Sequence, residues 1–176
     1  QNMEIVSIPL AGSLRHQDSM GNKHIIHARE IQVMSAGTGI THSEYNNSDS
    51  ETVNFLQIWV LPKKMGIKPR YDQKSIDMKQ MHNKFILIVA PVGVENVANI
   101  NQDAYFSMAK IEIGKSVEYR KNHHQHGVYL FVISGQIALG SQELSTRDGI
   151  GISDEGDLTL TAYEASEILC IEVPMT

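Results

Sequence analysis

Met34-Ser-Ala-Gly-Thr-Gly-Ile-Thr-His-Ser-Glu-Tyr-Asn46 is the stretch whose reading decides the fold. Gly37 and Gly39 punctuate a turn, and the residues from Ile40 to Tyr45 alternate as a strand does. Residues two apart in a strand face the same way, so His42 and Glu44 project together while Thr41 and Ser43 point oppositely. Their Cα atoms lie roughly 6.5 Å apart in an extended chain. Both side chains can therefore converge on one ion with ligand bonds of about 2 Å. One imidazole and one carboxylate make half of a mononuclear metal site, a donor set that suits iron, manganese, nickel or zinc better than calcium or magnesium. From the pair alone the plainer reading is favoured, a His and a Glu hydrogen-bonded on a solvated strand.

Outward from this stretch the chain reads as hairpin after hairpin. Ile5 to Leu10 and Leu14 to Asp18 are predicted strands around Gly12, Ser19-Met-Gly-Asn22 is a turn before Lys23 to His27, and Val53 to Leu61 is a long apolar strand. His16 shares a face with Leu14 and Asp18, and His24 with Ile26; neither has a neighbour at ligand spacing, and both read as hydrogen-bonded residues. From Lys63 to Asn83 the two-residue period is lost, and Ser75 to Met81 can form at most a short helix. Lys84 to Pro91 is a continuous apolar run of the kind buried on both faces. Strands are then predicted over 104–113, 117–120, 128–134, 136–139, 149–153, 158–161 and 168–173, the short regular spacing of a sandwich or jelly roll. Gly12 with Arg29-Glu-Ile31 further on is echoed by Gly135 with Arg147-Asp-Gly149, as a duplicated domain would leave. The fold class is all-β, with one domain over residues 1–83 including the connector and a second over 84–176.

The chain has 176 residues, 41% of them hydrophobic and 20% charged, with a formal net charge of -5. That is the composition of a globular protein with a real core. No basic stripe predicts direct nucleic-acid binding, and the cationic knot of Lys63, Lys64, Lys68 and Arg70 lies among Pro62, Gly66 and Pro69 as a solvated loop does. Cys170 is the single cysteine and alternates with Ile168 in an apolar strand, so it reads as core. No apolar run reaches the roughly 18 residues of a membrane span and no secretory signal is visible, which predicts a cytoplasmic protein without a membrane partner.

Gly39-x-x-His42-x-x-x-Asn46 has the spacing of the second cupin motif, and its flanks resemble the pirin family. Gly12-Ser-Leu-Arg-His-Gln-Asp-Ser-Met-Gly-Asn22 is similar to that family's first hairpin, and Glu30-Ile-Gln-Val-Met-Ser-Ala-Gly-Thr-Gly39 to its approach to the metal loop. Phe55-Leu-Gln-Ile-Trp-Val-Leu-Pro62 and Pro69-Arg-Tyr-Asp-Gln73 are similar to the segment leaving the first barrel. The resemblance covers about residues 3 to 112. It implies a bicupin, two jelly-roll barrels of which the first holds one divalent transition metal, iron first and Mn, Ni, Cu, Co or Zn after it, through three His and one Glu. His42 and Glu44 match the last two of these ligands. Glu4 matches the Glu that follows the family's His-x-His. That His-x-His itself would lie immediately before Gln1, so the first barrel is expected to be truncated at its N-terminus and metal binding by the chain as given to be weak or absent.

The resemblance further implies a quercetin 2,3-dioxygenase, which opens a flavonol ring with O2 and releases carbon monoxide. In this reading Glu44 is the catalytic base that takes the proton of the 3-hydroxyl, and His42 is a fixed ligand. The alternative is a non-catalytic, iron-dependent regulator acting through a protein partner, and a third is a scaffold without function at this site, as in seed-storage cupins. In the second half, His124-Gln-His126 has no carboxylate within the next five residues, and with His123 it reads as a structural or surface loop. No Gly-x-Gly-x-x-Gly, phosphate loop, Gly-x-Ser-x-Gly elbow or Cys pair is present.

Overall fold

Alternation of apolar and polar residues, punctuated by Gly and Asn turns, yields strands and almost nothing else. The computed structural model describes residues 1–153 and 156–175. Its strands are β1 (Glu4–Ala11), β2 (Ser13–Asp18), β3 (Lys23–His27), β4 (Glu30–Ser35), β5 (His42–Asn46), β6 (Asn54–Val60), β7 (Arg70–Ser75), β8 (Ile86–Pro91) and β9 (Ala98–Ile100). They continue as β10 (Tyr105–Ile111), β11 (Ser116–Tyr119), β12 (His126–Ser134), β13 (Gln136–Leu139), β14 (Gln142–Ser145), β15 (Gly149–Ile152), β16 (Leu158–Ala162) and β17 (Ser166–Pro174). A short 3-10 turn, Met78–Met81, is capped by the Asp77 carboxylate, which accepts from the Lys79 amide. Among the described residues no helix is long and apolar enough to cross a membrane.

The chain forms two compact units, one of Gln1–Ile76 with Pro91–Gln102, the other of Asp77–Ala90 with the chain from Asp103 onward. In the first, β6, β1, β4 and β7 lie side by side in one sheet, and β3, β2 and β5 form another. β1 is buried almost along its whole length. In the second unit the order β15-β12-β17-β10-β8 makes one sheet and β11-β16-β13-β14 the other. Their inner faces share a core that takes Ala109 and Ile111 from β10, Val128, Leu130 and Val132 from β12, and Leu158, Leu160 and Ala162 from β16. Cys170 on β17 is fully buried in that core. Burial, and after it the Glu172 carboxylate, pushes its thiol well above the ordinary range.

The strands β7, β9 and β14 are ones that the sequence pattern does not announce. β7 falls in the stretch read as an aperiodic connector, and the reason lies in its partners. Asp72 accepts the Asn99 amide at 3.0 Å and Arg70 donates to the Asn99 carbonyl, while Tyr71 donates to Gln73 at 2.7 Å. Polar side chains are thus satisfied along the strand, and the apolar alternation that marks a half-buried strand never develops.

The internal echo has a physical basis. Arg29 and Arg147 both hold φ at +75°, and in each case the next residue's carboxylate accepts a backbone amide three residues before it: Glu30 from His27 at 2.7 Å, Asp148 from Ser145 at 2.8 Å. Each turn follows a glycine of positive φ, Gly12 at +71° and Gly135 at +90°. The same carboxylate-braced turn is therefore built once in each unit.

Candidate metal centre

The candidate pair is delivered by β5, and the loop before it dictates where β5 begins. Gly37 has φ of +46°, and a Cβ there would collide with the Ile67 carbonyl oxygen, the same oxygen that accepts the Thr38 amide at 2.9 Å. Only glycine lets the two backbones approach so closely. From this turn β5 runs antiparallel to β2 with Asp18 opposite His42 and His16 opposite Glu44. His42 and Glu44 share one face, as period-two alternation requires, and Ser43 and Tyr45, hydrogen-bonded to each other at 2.7 Å, share the other.

The Glu44 carboxylate is nearly buried, with 8% of its side chain exposed. Ser7 on β1 donates to its Oε1 at 3.2 Å, and Gln57 on β6 donates to its Oε2 at 2.7 Å. Gln57 also accepts from the Trp59 indole at 3.3 Å. His16 Nδ1 stands 3.7 Å from Glu44 Oε1, and the His16 and His42 rings stack with centroids 5.8 Å apart. Neither Ser7 nor Gln57 was picked out by sequence reading. Gln57 carried a signal, a lone amide among Phe55, Leu56, Ile58 and Trp59.

His16 is fully buried, and behind it stands Asp18. Burial pulls the His16 imidazole down, but its contacts with Glu44 and Asp18 outweigh this and hold it above the ordinary histidine value. Burial pushes Asp18 up, and it is overcome by hydrogen bonds from Asn22 and His16 and from the Asn22 and Met20 amides, so this carboxyl stays below its usual range. Tyr71 lies against the same cluster, its ring 5.1 Å from His16 and 4.8 Å from the exposed His24. Burial first, then the carboxylates of Glu30, Glu44 and Asp18, push its phenol far up. It is a neutral hydrogen-bonding group.

Glu4 occupies the other face of β1. It lies an odd number of steps from Ser7, so it points away from Glu44. There it is fully buried, its Oε2 accepting from Ser35 at 2.7 Å and from the Asn101 amide at 2.9 Å, with Oε1 unpartnered. Burial raises its pKa despite those bonds.

In the second unit His124 is exposed, whereas His126 is buried on β12 with Nδ1 3.2 Å from Glu172. The carboxylate that sequence proximity does not offer arrives from β17. Glu172 also accepts from the Tyr119 hydroxyl at 3.0 Å, from the amide and side chain of Asn122, and from the His123 amide at 2.8 Å. It anchors the His-rich loop. Burial, with the neighbouring His123, lowers the His126 pKa against the opposing pull of Glu172.

As a test of metal fit, the imidazole and carboxylate of His42 and Glu44 are the donor types a first-row transition ion takes. Among the described residues, however, no group of three or more His, Cys, Asp or Glu side chains is placed to hold an ion. The pair fits as part of a shell.

Comparison with known proteins places these features. The pirin family's sequence profile matches residues 1–60, and the profile of the quercetinase C-terminal cupin domain matches residues 87–173. A quercetin 2,3-dioxygenase of Escherichia coli K12 is 37% identical over 175 residues, 99% of this chain and 74% of that protein. A pirin-like protein of Caulobacter vibrioides is 34% identical over 172 residues, 97% of this chain and 73% of that protein. Among solved structures, YhhW from E. coli superposes with a TM-score of 0.92 at 34% identity, over 100% of this chain and 74% of that one. The same bacterial pirin in complex with nickel(II) gives 0.91 at 33%, with equal coverage. A C-terminal domain model, an N-terminal family model and full-length relatives agree on one assignment: this chain belongs to the pirin/quercetinase family of all-β bicupins.

Proposed function

We propose that this protein is a metal-dependent dioxygenase that opens a flavonol-type ring with O2, with His42 and Glu44 in the metal shell and Glu44 as the base. The observation that supports this most directly is the shared face of β5, where an imidazole and a nearly buried carboxylate stand together in a chain 37% identical to a quercetin 2,3-dioxygenase. A divalent transition ion, iron first, would supply Lewis-acid polarisation of the substrate's 3-hydroxyl and the chemistry of O2.

The protein's own residues supply proton handling and order. Glu44 takes the 3-hydroxyl proton, which needs an ionised carboxylate within hydrogen-bond reach of the bound substrate. Ser7 and Gln57 each donate to one of its oxygens, so the carboxylate meets substrate in one orientation rather than sampling rotamers. A carboxylate oxygen carries two lone pairs, so one donor on each leaves acceptor capacity for the incoming proton.

The test is turnover of quercetin by the metal-loaded protein, followed by O2 uptake and carbon monoxide release. His42→Ala is expected to lose metal and rate together. Glu44→Gln, nearly equal in volume but unable to accept a proton, is expected to lose rate about 10²- to 10⁴-fold even where metal is retained. Full turnover in metal-loaded Glu44→Gln removes Glu44 as base, and stoichiometric metal without any quercetin turnover in the unsubstituted protein returns the reading of a non-catalytic regulator.

A further inference from the structure

We infer that His16 is a positioning residue for the His42–Glu44 pair, a fixed wall that sets the direction in which both side chains present their donor atoms. This rests on the reading of that pair as metal ligands. The register of β2 against β5 makes a two-by-two block on one face, His16 beside Glu44 and Asp18 beside His42. Within it the His16 ring is committed on every side. One edge is tied from behind, Nε2 lying 3.2 Å from Asp18 Oδ2. Asp18 is itself immobilised by the Asn22 side chain at 2.8 Å and by the Met20 and Asn22 amides. The other edge carries Nδ1, 3.7 Å from Glu44 Oε1 and 3.5 Å from Gln32 Nε2. One ring contact is the Tyr71 ring and another the His42 ring, inclined only 22° to it.

An apolar side chain would fill this volume without the penalty of burying a polar group that must find partners. An imidazole here must be held by partners, and two of the groups set against its ring are the candidate ligands themselves. His16 cannot swing out to become a ligand itself without leaving Asp18. Its contribution is orientation: outer partners of metal ligands fix the ligand's rotamer, and their loss typically costs ~10- to 100-fold in metal affinity or activity.

The test measures nickel(II) affinity by competition with a chelator, alongside thermal denaturation and the kcat and KM for quercetin, in three His16 variants and in Glu44→Ala. His16→Phe keeps a ring but loses both edges, and is expected to bind nickel(II) ~10- to 100-fold more weakly. Its kcat should fall while KM for quercetin stays within about threefold, because His16 acts through Glu44 and His42 rather than on the substrate itself. His16→Asn places an amide where Nδ1 lies and is expected to recover most of the affinity. If His16→Phe does not fold, His16→Gln, which keeps the Asp18 tie but not the Glu44 contact, takes its place with the same expected loss. Wild-type nickel(II) affinity in a folded Phe or Gln variant, or an Asn variant no better than they are, overturns the inference. Glu44→Ala separates the two levels: nickel(II) binding unchanged from the parent refutes the ligand reading, whereas loss there with none at His16 refutes only the positioning role.

Discussion

Asp18→Asn is the substitution that best isolates the electrostatics beneath the candidate site. The carboxylate accepts two backbone amides on Oδ1, from Met20 at 2.9 Å and Asn22 at 3.1 Å, and on Oδ2 accepts from Asn22 Nδ2 at 2.8 Å and His16 Nε2 at 3.2 Å. An asparagine oxygen still serves the two backbone amides, but its NH2 then faces His16 and the Asn22 side chain, whose amide can turn its own oxygen to accept from it. The loss is the charge-assisted bond to the imidazolium, about 1.5–3 kcal/mol. At 2–4 °C per kcal/mol for a chain of this size, Tm should fall by roughly 3–12 °C.

The deficit depends on pH in a defined direction. His16, raised in the folded state, gives its full contribution below the ordinary imidazole value of about 6.5 and loses it as pH rises through the folded value. Asp18, depressed, contributes above the ordinary carboxylate value of about 3.9 and loses this as pH falls through its own folded value. The deficit of the Asp18→Asn variant is therefore greatest between those limits. Above the raised His16 value the imidazole is neutral, and the variant loses a bond from its N–H to the carboxylate without the ion-pair attraction, so the deficit is smaller. Thermal denaturation of both proteins by circular dichroism at about pH 5.5 and pH 9.5 measures this, on the ordinary values of the two groups. An equal Tm difference at both pH values, or none at the lower one, refutes the charged pair.

Gly37→Ala forces a β-carbon against the Ile67 carbonyl at positive φ, and should destabilise by at least the ~1–2 kcal/mol of a left-handed non-glycine residue, read as a lowered denaturation midpoint. Glu172→Gln turns an amide NH2 toward donors on one side, Tyr119 and Asn122 or His123, and should cost about 1–3 kcal/mol in the same measurement; unchanged stability would mean the carboxylate is not the loop's anchor. His124→Ala, at an exposed position of the second unit, should leave quercetin turnover by metal-loaded protein within about twofold of the parent, on the ±0.5 kcal/mol typical of surface substitutions.

How far the sequence carries depends on where polarity follows a period. β5 was legible because His42 and Glu44 obey strict alternation next to a two-glycine turn, and β6, β8 and β12 stand out instead as long apolar runs. β7 was hidden because Arg70 and Asp72 find partners at Asn99 and need no apolar face. Site residues divide the same way. His16 could be placed on the inward face with Leu14 and Asp18, but its contact with Glu44 depends on how β2 registers against β5, which no local pattern encodes. Ser7 and Gln57 lie on strands distant in sequence and meet Glu44 only through the tertiary fold. The partner of His126 was missed likewise, since Glu172 is 46 residues further along and reaches it across paired strands.

Cys170, fully buried with its thiol held protonated, gives the second unit a built-in reporter. A thiol attacks an alkylating reagent only as exposed thiolate, so no reaction proceeds while the strands stay closed. Each modified molecule thus records one excursion into an open form. When reclosing outpaces alkylation, the labelling rate divided by that of a free cysteine equals the opening equilibrium constant, a local free energy obtained under native conditions without denaturant. Because it is the single cysteine of the chain, the signal carries one address.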